Sequence, residues 1–375
     1  MRTIVGLALV SAAFVGVGCA AAQAPAADVQ QNRTWRGVDL SYVNELEACG
    51  VKYRDDNGYQ DPYAIFARAG ANIVRLRLWH SPDWTSYSTL EDVKQSIRRA
   101  KANNMQVLLD FHYSDDWVHP GKQIVPKAWA GQSDDQLAAS LGKYTKAVLR
   151  SLDQDGLLPE YVQIGNETNT DMLIDKEVPE TAPINWQRNV KFFLAGVTAV
   201  RTVEHQTGKK IGVMLHVAQP ENIEPWLDAA ATAGLPDFDI IGLSYYEKWS
   251  SVPFEAIGPK VARLRAKYGK DVVIVETAYP WTLKWNDQMG NLLGQDSLSP
   301  GFEASTEGQR RYLVQLQQAV TTNGGLGIVY WEPAWVSSSC KTRWGTGSSW
   351  ENATLFDFKG RLLPGAAFLR PAERD

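Results

Sequence analysis

The chain has 375 residues, a formal net charge of −4 at pH 7 and 21% charged residues. A near-balanced charge without a basic patch argues against a nucleic-acid-binding protein, and three cysteines are too few for a disulfide-built scaffold. A hydrophobic fraction of 44% is typical of a globular protein, and the length suits one large barrel or two modest domains.

The N-terminus has the pattern of an export signal. Arg2 precedes an apolar stretch at residues 4–17 that is too short to cross a bilayer, and Ala22-Gln23-Ala24 forms a cleavage site. We therefore predict a cleaved signal peptide at residues 1–24, a catalytic domain at residues 25–375, and a periplasmic or secreted protein. Cys19 leaves open a second route, in which lipoprotein processing places a lipid anchor on that cysteine. Apart from such an anchor, we expect no membrane contact.

After the signal, short β-branched runs alternate with longer segments of helical period, which is typical of βα units around a parallel sheet. Eight strands are predicted, at residues 35–40, 73–78, 106–111, 161–164, 210–215, 238–244, 271–275 and 327–331. Helices are predicted at residues 90–103, 133–152, 186–207, 222–233, 254–268 and 306–323, with a weak one at 364–369. Eight such repeats predict a single (β/α)8 TIM barrel rather than a doubly wound sheet.

Four of the predicted loops are long, and all of them follow the carboxyl ends of strands. They span residues 113–132, 168–185, 277–305 and 332–364, and they are rich in Trp, Gly and Asp. Long loops on that face of a barrel build a substrate groove.

Two cysteines remain after the signal, Cys49 and Cys340. In an eight-stranded barrel Cys49 follows strand 1 and Cys340 follows strand 8, and those strands are neighbours. A disulfide between them is compatible with an exported protein, and two free thiols are the alternative, because sequence does not show distance.

Two glutamates lie at the carboxyl ends of runs that read as buried strands. Glu167 follows strand 4 and Glu276 follows strand 7. Active sites of TIM-barrel enzymes lie at the carboxyl ends of the strands. Two facing carboxylates are the apparatus of glycoside hydrolysis. We predict Glu167 as the acid/base and Glu276 as the nucleophile, roughly 5–5.5 Å apart, a spacing that retains the anomeric configuration.

Other polar residues are predicted around this pair. The amide of Asn166 is placed to bind the sugar hydroxyl on C2. Arg75 and Arg77 share one strand face, and we expect Arg77, nearer the strand end, to hold Glu276 ionised, with a structural salt bridge as the alternative. His112, His216 and Tyr245 lie at the ends of strands 3, 5 and 6 and are predicted to bind substrate, although a strand-end His is often structural.

Aromatic residues at strand ends and in the long loops are predicted to stack on sugar rings. Trp331 is predicted to form the floor under the sugar being cleaved. The others are Trp79, Trp117, Trp129, Trp249, Trp281 and Trp335, of which Trp129 is equally compatible with core packing.

No metal or cofactor motif is present. The sequence has no HExxH, no CxxC and no Gly-rich phosphate loop. The acidic pieces at residues 55–57 and 286–287 lack the ligand ladder of an EF-hand. We therefore predict no metal site and no required cofactor, with calcium as the alternative for these loops.

Eight strings resemble glycoside hydrolase family 53, the arabinogalactan endo-β-1,4-galactanases of clan A. In the family's order they are GVDLS (37–41), RLRLW (75–79), HYSDDWVHPGKQ (112–123), IGNETN (164–169), GLSYYEKW (242–249), VETAYPWT (275–282), YWEPAWV (330–336) and GSSWENATLFDF (347–358). The resemblance implies a retaining (β/α)8 enzyme that cleaves pectic galactan, with Glu167 and Glu276 in the two catalytic positions. It also implies that the subsites are lined by His112, Asp115, Trp117, Asn166, Tyr245 and Trp331.

Some positions depart from the family pattern. His119 replaces an Asp, and Glu247 and Ser250 lie in a loop that more often contains Pro-Phe-Trp-His, which bears on subsite preference. Bacterial members carry calcium in the loop after strand 7, but here residues 283–291 include Trp, Met and Lys among the candidate ligands.

Two alternatives stay open. The same barrel and glutamates would serve a mannanase, cellulase or xylanase, and a protein that binds oligosaccharides without cleaving them belongs to a different class. We expect a monomer, because a long polymer needs an open groove.

Overall fold

Eight parallel strands close into a barrel in the computed structural model, which describes residues 33–371. The predicted signal peptide and Cys19 lie outside the described residues. The strands are β1 Trp35–Asp39, β2 Ile73–Leu78, β3 Gln106–Phe111, β4 Tyr161–Ile164, β5 Gly212–Ala218, β6 Ile240–Ser244, β7 Asp271–Thr277 and β8 Gly327–Tyr330. Each strand pairs with the next, and β8 pairs with β1 from Trp35↔Gly327 onward. The (β/α)8 prediction is confirmed.

Helices follow the strands around the outside of the barrel. They are α1 Val43–Ala48, α2 Pro62–Ala69, α3 Leu90–Ala102, α4 Asp134–Gln154, α5 Trp186–Thr207, α6 Ile223–Thr232, α7 Ile257–Tyr268 and α8 Thr306–Thr322. Short 3-10 helices occupy Lys127–Trp129, Phe254–Ala256, Gln295–Ser297, Glu351–Ala353 and Pro364–Leu369. Two hairpins are also present, Tyr53–Asp55 with Gly58–Gln60 and Lys341–Thr342 with Gly345–Thr346.

Local sequence explains where the helices begin and end. Helix α4 begins at a capping box. The Ser133 hydroxyl accepts from the backbone N–H of Gln136, and the side-chain oxygen of Gln136 accepts from the backbone N–H of Ser133. Helix α5 ends at Gly208, whose φ of +68° is the left-handed conformation that terminates helices. The buried residues Leu137, Leu141 and Val148 give α4 one apolar face toward the barrel.

The barrel interior has an apolar lower layer and a polar upper layer. Trp35, Ile73 and Met214 belong to an apolar cluster contributed largely by the strands. Side chains two residues apart on a strand point to the same face. Arg75 therefore points into the barrel as Ile73 does, one layer nearer the carboxyl end of the strand. The interior therefore turns from hydrocarbon to hydrogen-bonding groups toward the carboxyl ends, where we predicted the chemistry.

Two strand ends differ from the predicted ones in a way that matters for function. Strand β5 continues to Ala218 rather than Leu215, so His216 lies within the strand and is fully buried. Strand β7 continues to Thr277, so Glu276 belongs to the strand, with an irregular register against β6 at this point. Helices α1 and α2 and both hairpins were not predicted, because each is shorter than the window in which helical or strand periodicity is measurable.

Cys49 and Cys340 form a disulfide, with Cα atoms 5.5 Å apart and 291 residues apart in sequence. The disulfide connects the end of α1 to the loop after β8, as the proximity of β1 and β8 predicts. Between residues 33 and 371, no helix is long and apolar enough to cross a membrane.

Candidate active site

A groove of about 990 Å³ opens at the carboxyl ends of the strands and contains both predicted catalytic glutamates. Its wall is rich in aromatic rings, namely Tyr42, Trp117, Tyr246, Trp249, Trp331, Trp335, Trp344 and Trp350. Polar groups at its base include Asn166 and, toward one end, Asn169, Gln219 and Asn222. Apolar ring faces with a few convergent polar groups are typical of a carbohydrate-binding cleft.

The backbone at Glu167 is in a conformation that side-chain-bearing residues seldom adopt. Glu167 has φ +44°, and Gly165 two residues earlier has φ +80°. A non-glycine residue in the left-handed region costs about 1 kcal/mol or more, and such residues concentrate at functional sites. The turn after β4 thus carries local strain where it presents the Glu167 side chain.

Arg75, not Arg77, holds Glu276. The Nη1 atom of Arg75 lies 2.6 Å from Glu276 Oε1. The guanidinium donates four hydrogen bonds besides this ion pair, and its partners are Asp39, Asp110, Gln163, Asn166 and Glu276. These acceptors come from β1, β3, β7 and the end of β4, so one planar side chain orders the floor of the site. The expectation for Arg77 was wrong because a barrel places catalytic groups at more than one depth along the strand.

Arg77 instead supports the aromatic wall. Its guanidinium carbon lies 4.0 Å from the centre of the Trp117 ring and 4.7 Å from the centres of the Tyr42 and Trp79 rings. Its Nη1 lies 3.3 Å from Glu332, a fully buried carboxylate that follows β8. The pair is the structural salt bridge that was the alternative for this residue.

Tyr246, rather than Tyr245, reaches Glu276. The Tyr246 hydroxyl donates to Glu276 Oε2 at 3.2 Å and its ring lines the groove. Tyr245 is fully buried, and its hydroxyl donates to Glu247 at 2.6 Å and to the Val252 carbonyl at 3.2 Å. Adjacent residues at a strand end point to opposite sides, so the prediction of Tyr245 selected the neighbour that points away from the groove.

The environment of Glu167 favours its protonated form. Burial and then the negative charge of Glu276 raise the pKa of Glu167 to about 8, while a hydrogen bond from the Ser244 hydroxyl, 2.6 Å from Oε1, lowers it in part. A carboxyl group that keeps its proton near neutral pH is suited to general acid catalysis.

The surroundings of Glu276 act on its pKa in opposite directions. Burial raises the pKa of Glu276 to about 7, with the ion pair to Arg75 opposing the rise and the charges of Asp39 and Asp110 adding to it. The Tyr246 hydroxyl also donates to this carboxylate. The second carboxylate therefore has two donors that favour its ionised form, whereas Glu167 has one hydroxyl. This asymmetry favours the proton on Glu167 and the charge on Glu276.

His112 and His216 lie beneath the groove rather than in its wall. His112 Nε2 is 3.0 Å from Asp110, and His216 contacts Ser244 and the residues around Asn166. Burial lowers the pKa of both imidazoles, so both are neutral at pH 7. They are supporting groups, which is the structural role often found for a strand-end His.

Asp115 holds two loops together instead of lining the groove. Its carboxylate accepts hydrogen bonds from the backbone N–H groups of Ser81 and Lys127, both at 2.8 Å. It thereby connects the loops after β2 and β3, and it is not part of the groove wall.

The predicted tryptophans divide into three groups. Trp117, Trp249, Trp331 and Trp335 line the groove, and Trp331 contacts Trp117 and Trp350 with ring centres 5.6 and 4.7 Å apart. Trp79 is buried against Arg77, and Trp129 packs on His80 and Tyr144 in the core. Trp281 packs on Phe358, outside the groove.

The carboxylates nearest the loop after β7 are hydrogen-bonded, whereas the buried Asn291 Oδ1 in that loop has no hydrogen-bond partner among the described residues. Asp287 accepts from the N–H groups of Met289 and Ser348, and Glu351 accepts from those of Asn286 and Asp287. These carboxylates join the loops after β7 and β8. In the hairpin region, Asp55 pairs with Arg68 and Asp56 with Arg361. Among the described residues, no group of three or more His, Cys, Asp or Glu side chains is placed to hold a metal ion.

Sequence inspection missed several residues of the site. Asp39, Asp110, Gln163 and Ser244 are fully or almost fully buried and hydrogen-bonded to Arg75, Glu167 or each other. Their shared signal is a polar side chain at an inward position of a barrel strand, next to the strand end. That signal is usable once the register is known.

Comparison with known proteins agrees with this geometry. The family model of glycosyl hydrolase family 53 matches residues 35–369. The chain is 50% identical over 337 residues to the arabinogalactan endo-β-1,4-galactanase of Cellvibrio japonicus, covering 89% of this chain and 90% of the relative. It is 32% identical over 380 residues to the endo-β-1,4-galactanase of Bacillus subtilis, covering 90% and 86% respectively.

Solved structures show the same likeness. The catalytic domain of a family 53 enzyme from Ignisphaera aggregans superposes with a TM-score of 0.82 at 33% identity, covering 90% of this chain and 96% of that one. A Penicillium canescens endo-1,4-β-xylanase, with a TM-score of 0.59 at 12% identity over 91% and 96% of the two chains, shares the fold. Sequence, barrel and groove together show that the chain belongs to glycosyl hydrolase family 53.

Proposed function

We propose that the protein is an exported endo-β-1,4-galactanase that hydrolyses the galactan of type I arabinogalactan with retention of anomeric configuration. The observation that carries this proposal is the asymmetric pair in the groove, in which Glu276 is held by Arg75 and Tyr246 while the pKa of Glu167 is raised. The names of the Cellvibrio and Bacillus relatives supply the substrate.

The strand register supports a short distance between the two carboxylates. Ser244 on β6 is the register partner of Glu276 on β7. The same Ser244 hydroxyl lies 2.6 Å from Glu167 Oε1. Glu167 therefore contacts the immediate strand neighbour of Glu276, which fits the roughly 5–5.5 Å spacing of retaining enzymes better than the wider spacing of inverting ones.

In the first step, a Glu276 oxygen attacks the anomeric carbon as the glycosidic bond breaks. The proton of Glu167 passes to the departing oxygen, so the leaving chain is released as an alcohol and a glycosyl ester forms on Glu276. Asn166 uses one Nδ2 proton on the Val118 carbonyl and has a second for the hydroxyl on C2. That hydrogen bond strengthens as positive charge develops on the ring.

In the second step, water replaces the leaving chain. Esterification removes the charge of Glu276, so the pKa of Glu167 falls and its carboxylate takes a proton from the water. The water oxygen bonds to the anomeric carbon, the ester bond breaks, and Glu276 leaves as a carboxylate. Arg75 and Tyr246 stabilise that returning charge.

Two further parts of the proposal concern the setting of the enzyme. The Cys49–Cys340 disulfide supports export, because disulfides persist in oxidising compartments. The long aromatic groove supports endo action by a monomer, since a polymer chain must pass through it. Size-exclusion chromatography of the mature protein tests the oligomeric state.

The decisive experiment measures reducing ends released from unbranched β-1,4-galactan by the mature enzyme and by Glu167→Gln and Glu276→Gln. We expect both variants to lose at least about 1,000-fold in kcat, because each removes a group that acts in the transition state. We expect azide to restore turnover of an activated aryl glycoside in a Glu167→Gly variant, giving the retained β-glycosyl azide.

A panel of polysaccharides separates the alternatives. Activity on mannan, cellulose or xylan equal to that on galactan would overturn the substrate. Tight galactan binding without any release of reducing ends would show a binding protein, and an inverted product would overturn the double displacement.

A further inference from the structure

A chain of hydrogen bonds leads from the barrel interior to the back of Glu167. His216 on β5 and Ser244 at the end of β6 are both fully buried. His216 Nε2 lies 2.9 Å from Ser244 Oγ, and Ser244 Oγ lies 2.6 Å from Glu167 Oε1. Neither side chain lines the groove, so neither is placed to touch substrate.

Which atom donates in each of these hydrogen bonds depends on which imidazole nitrogen of His216 carries the proton. The backbone N–H of Glu167 points at His216 Nδ1 over 3.3 Å, and Gln163 Nε2 lies 3.1 Å from the same nitrogen. The two hydrogens of Gln163 Nε2 also have closer acceptors, Asp110 Oδ1 at 2.7 Å and the Gly165 carbonyl at 3.0 Å. The Glu167 N–H can only donate, so Nδ1 accepts and the proton is on Nε2.

One contact favours the opposite tautomer, because Nδ1 also lies 3.0 Å from Asn166 Oδ1. That oxygen already accepts from Arg75 Nη2 at 2.7 Å, so it has a donor without Nδ1. The Glu167 N–H, in contrast, would lose Nδ1 as its acceptor if Nδ1 were protonated. The Nε2–H tautomer satisfies more groups.

The remaining hydrogens then follow in sequence. Ser244 Oγ accepts from His216 Nε2–H, so its single hydrogen points to Glu167 Oε1. An oxygen that accepts this bond is a poor site for the acid proton, which is left to Oε2. We propose that His216 and Ser244 are positioning residues that keep the transferable proton of Glu167 on Oε2. The proposal rests on the proposed role of Glu167 as acid/base.

Ser244→Ala tests the proposal by kinetics, with Ser299→Ala as the matched control. Ser299 is also buried, and within residues 33–371 its hydroxyl has no hydrogen-bond partner. We expect Ser244→Ala to lower kcat on galactan by about 10-fold or more, because general acid catalysis contributes 100-fold or more and part of it is lost. The basic limb of the kcat/KM profile should move to higher pH, since the lost bond favoured the ionised form.

The charged and titratable groups that face this chain are Glu276, Arg75, Glu180, Tyr246 and His112. Ser244→Ala leaves all of them in place, so a shifted basic limb reports the lost hydrogen bond. Bond cleavage in an aryl glycoside with a good leaving group needs no proton, so we expect a much smaller loss for that step. An unshifted limb, or equal losses on both substrates, would overturn the proposal.

A second measurement does not depend on activity. Nitrogen-15 NMR of histidine-labelled enzyme, with the His216 signals assigned by their absence in His216→Gln, reports the tautomer. We expect a neutral ring protonated on Nε2 in wild type and in Ser244→Ala, since the Glu167 N–H holds Nδ1 in both. A proton on Nδ1 would overturn the proposal even in an active enzyme. If wild type does not cleave galactan, the proposed function fails while this measurement still decides the tautomer.

Discussion

Arg75 Nη1 lies 2.6 Å from Glu276 Oε1, and this contact is one of five that the same guanidinium makes. Asp39 and Asp110 share the guanidinium with Glu276, so three buried carboxylates face one cation. Burial raises the pKa of Glu276, and the positive charge of Arg75 lowers it. The negative charges of Asp39 and Asp110 add to the rise. The charge of Glu276 is thus less fully neutralised than it would be in an ion pair with an arginine of its own.

Arg75→Lys is expected to lower kcat/KM by roughly 100-fold or more, because an ammonium has three donors and no planar fork for the five acceptors. The acidic limb of the pH profile should move to higher pH, since a less well paired Glu276 takes up its proton more readily. Measuring kcat/KM between pH 4 and 9 checks both effects.

Arg77→Lys is the matched control on the same strand face. It removes the guanidinium from between the Tyr42, Trp79 and Trp117 rings and leaves the contacts of Glu276 intact. We expect a higher KM from a loosened Trp117 wall, with an unshifted pH profile. A shift of the acidic limb in Arg77→Lys comparable to that in Arg75→Lys would contradict the assignment.

Tyr246→Phe and Tyr245→Phe form a second matched pair. Removing the Tyr246 hydroxyl deletes a donor to Glu276, so the acidic limb should move up by roughly one pH unit, with about a 10-fold loss of kcat/KM. Tyr245→Phe deletes only bonds to Glu247 and the Val252 carbonyl, so we expect lower thermal stability and an unchanged limb. Identical profiles for the two variants would show that Tyr246 does not act on the nucleophile.

Glu167→Gln is expected to be more stable than wild type at neutral pH. The pKa of Glu167 is raised to about 8, above the value near 4.3 of an unfolded glutamate, so the folded state binds this proton more tightly. Wild type therefore loses stability as pH rises from about 4 to 8, and the variant does not lose that part. Thermal unfolding at pH 4 and pH 8 should show a larger difference in melting temperature at pH 8. Equal differences at both values would contradict the raised pKa.

The barrel was predictable from sequence because its signal is repeated. Eight apolar runs alternate with helical segments, and several bounds, such as Ile73–Leu78 and Trp186–Thr207, agree with the prediction to the residue. The two glutamates were candidates from sequence because a carboxylate at the carboxyl end of a buried strand is unusual. Arg77, Tyr245 and Asp115 received roles that the structure gives to Arg75, to Tyr246 and to loop fixation.

These predictions differ from the structure because sequence shows neither how deep in the barrel a residue lies nor to which side its side chain points. Sequence shows which residues share a strand face, but the strand twist and stagger decide how far into the barrel each one reaches. Arg75 is one inward position deeper than Arg77 and still reaches Glu276, because its side chain is long. The buried hydroxyl of Ser244 gave no sequence signal, since serine is common in any strand end or loop.

The Cys49–Cys340 disulfide closes a segment of 291 residues, which makes it a test of how loop closure stabilises this barrel. Replacing both cysteines with serine should lower the free energy of unfolding by about 2–5 kcal/mol, because the unfolded chain regains the freedom that the long closed loop removed. We expect a melting temperature lower by several degrees, measured by calorimetry at pH 7. Reductant should lower the melting temperature of wild type but not of the double variant. Neither cysteine lines the groove, so galactan hydrolysis at 25 °C should stay within about twofold of wild type. A double variant that melts with wild type would show that the hydrogen bonds between the loops, rather than the disulfide, hold the loop after β8 in place.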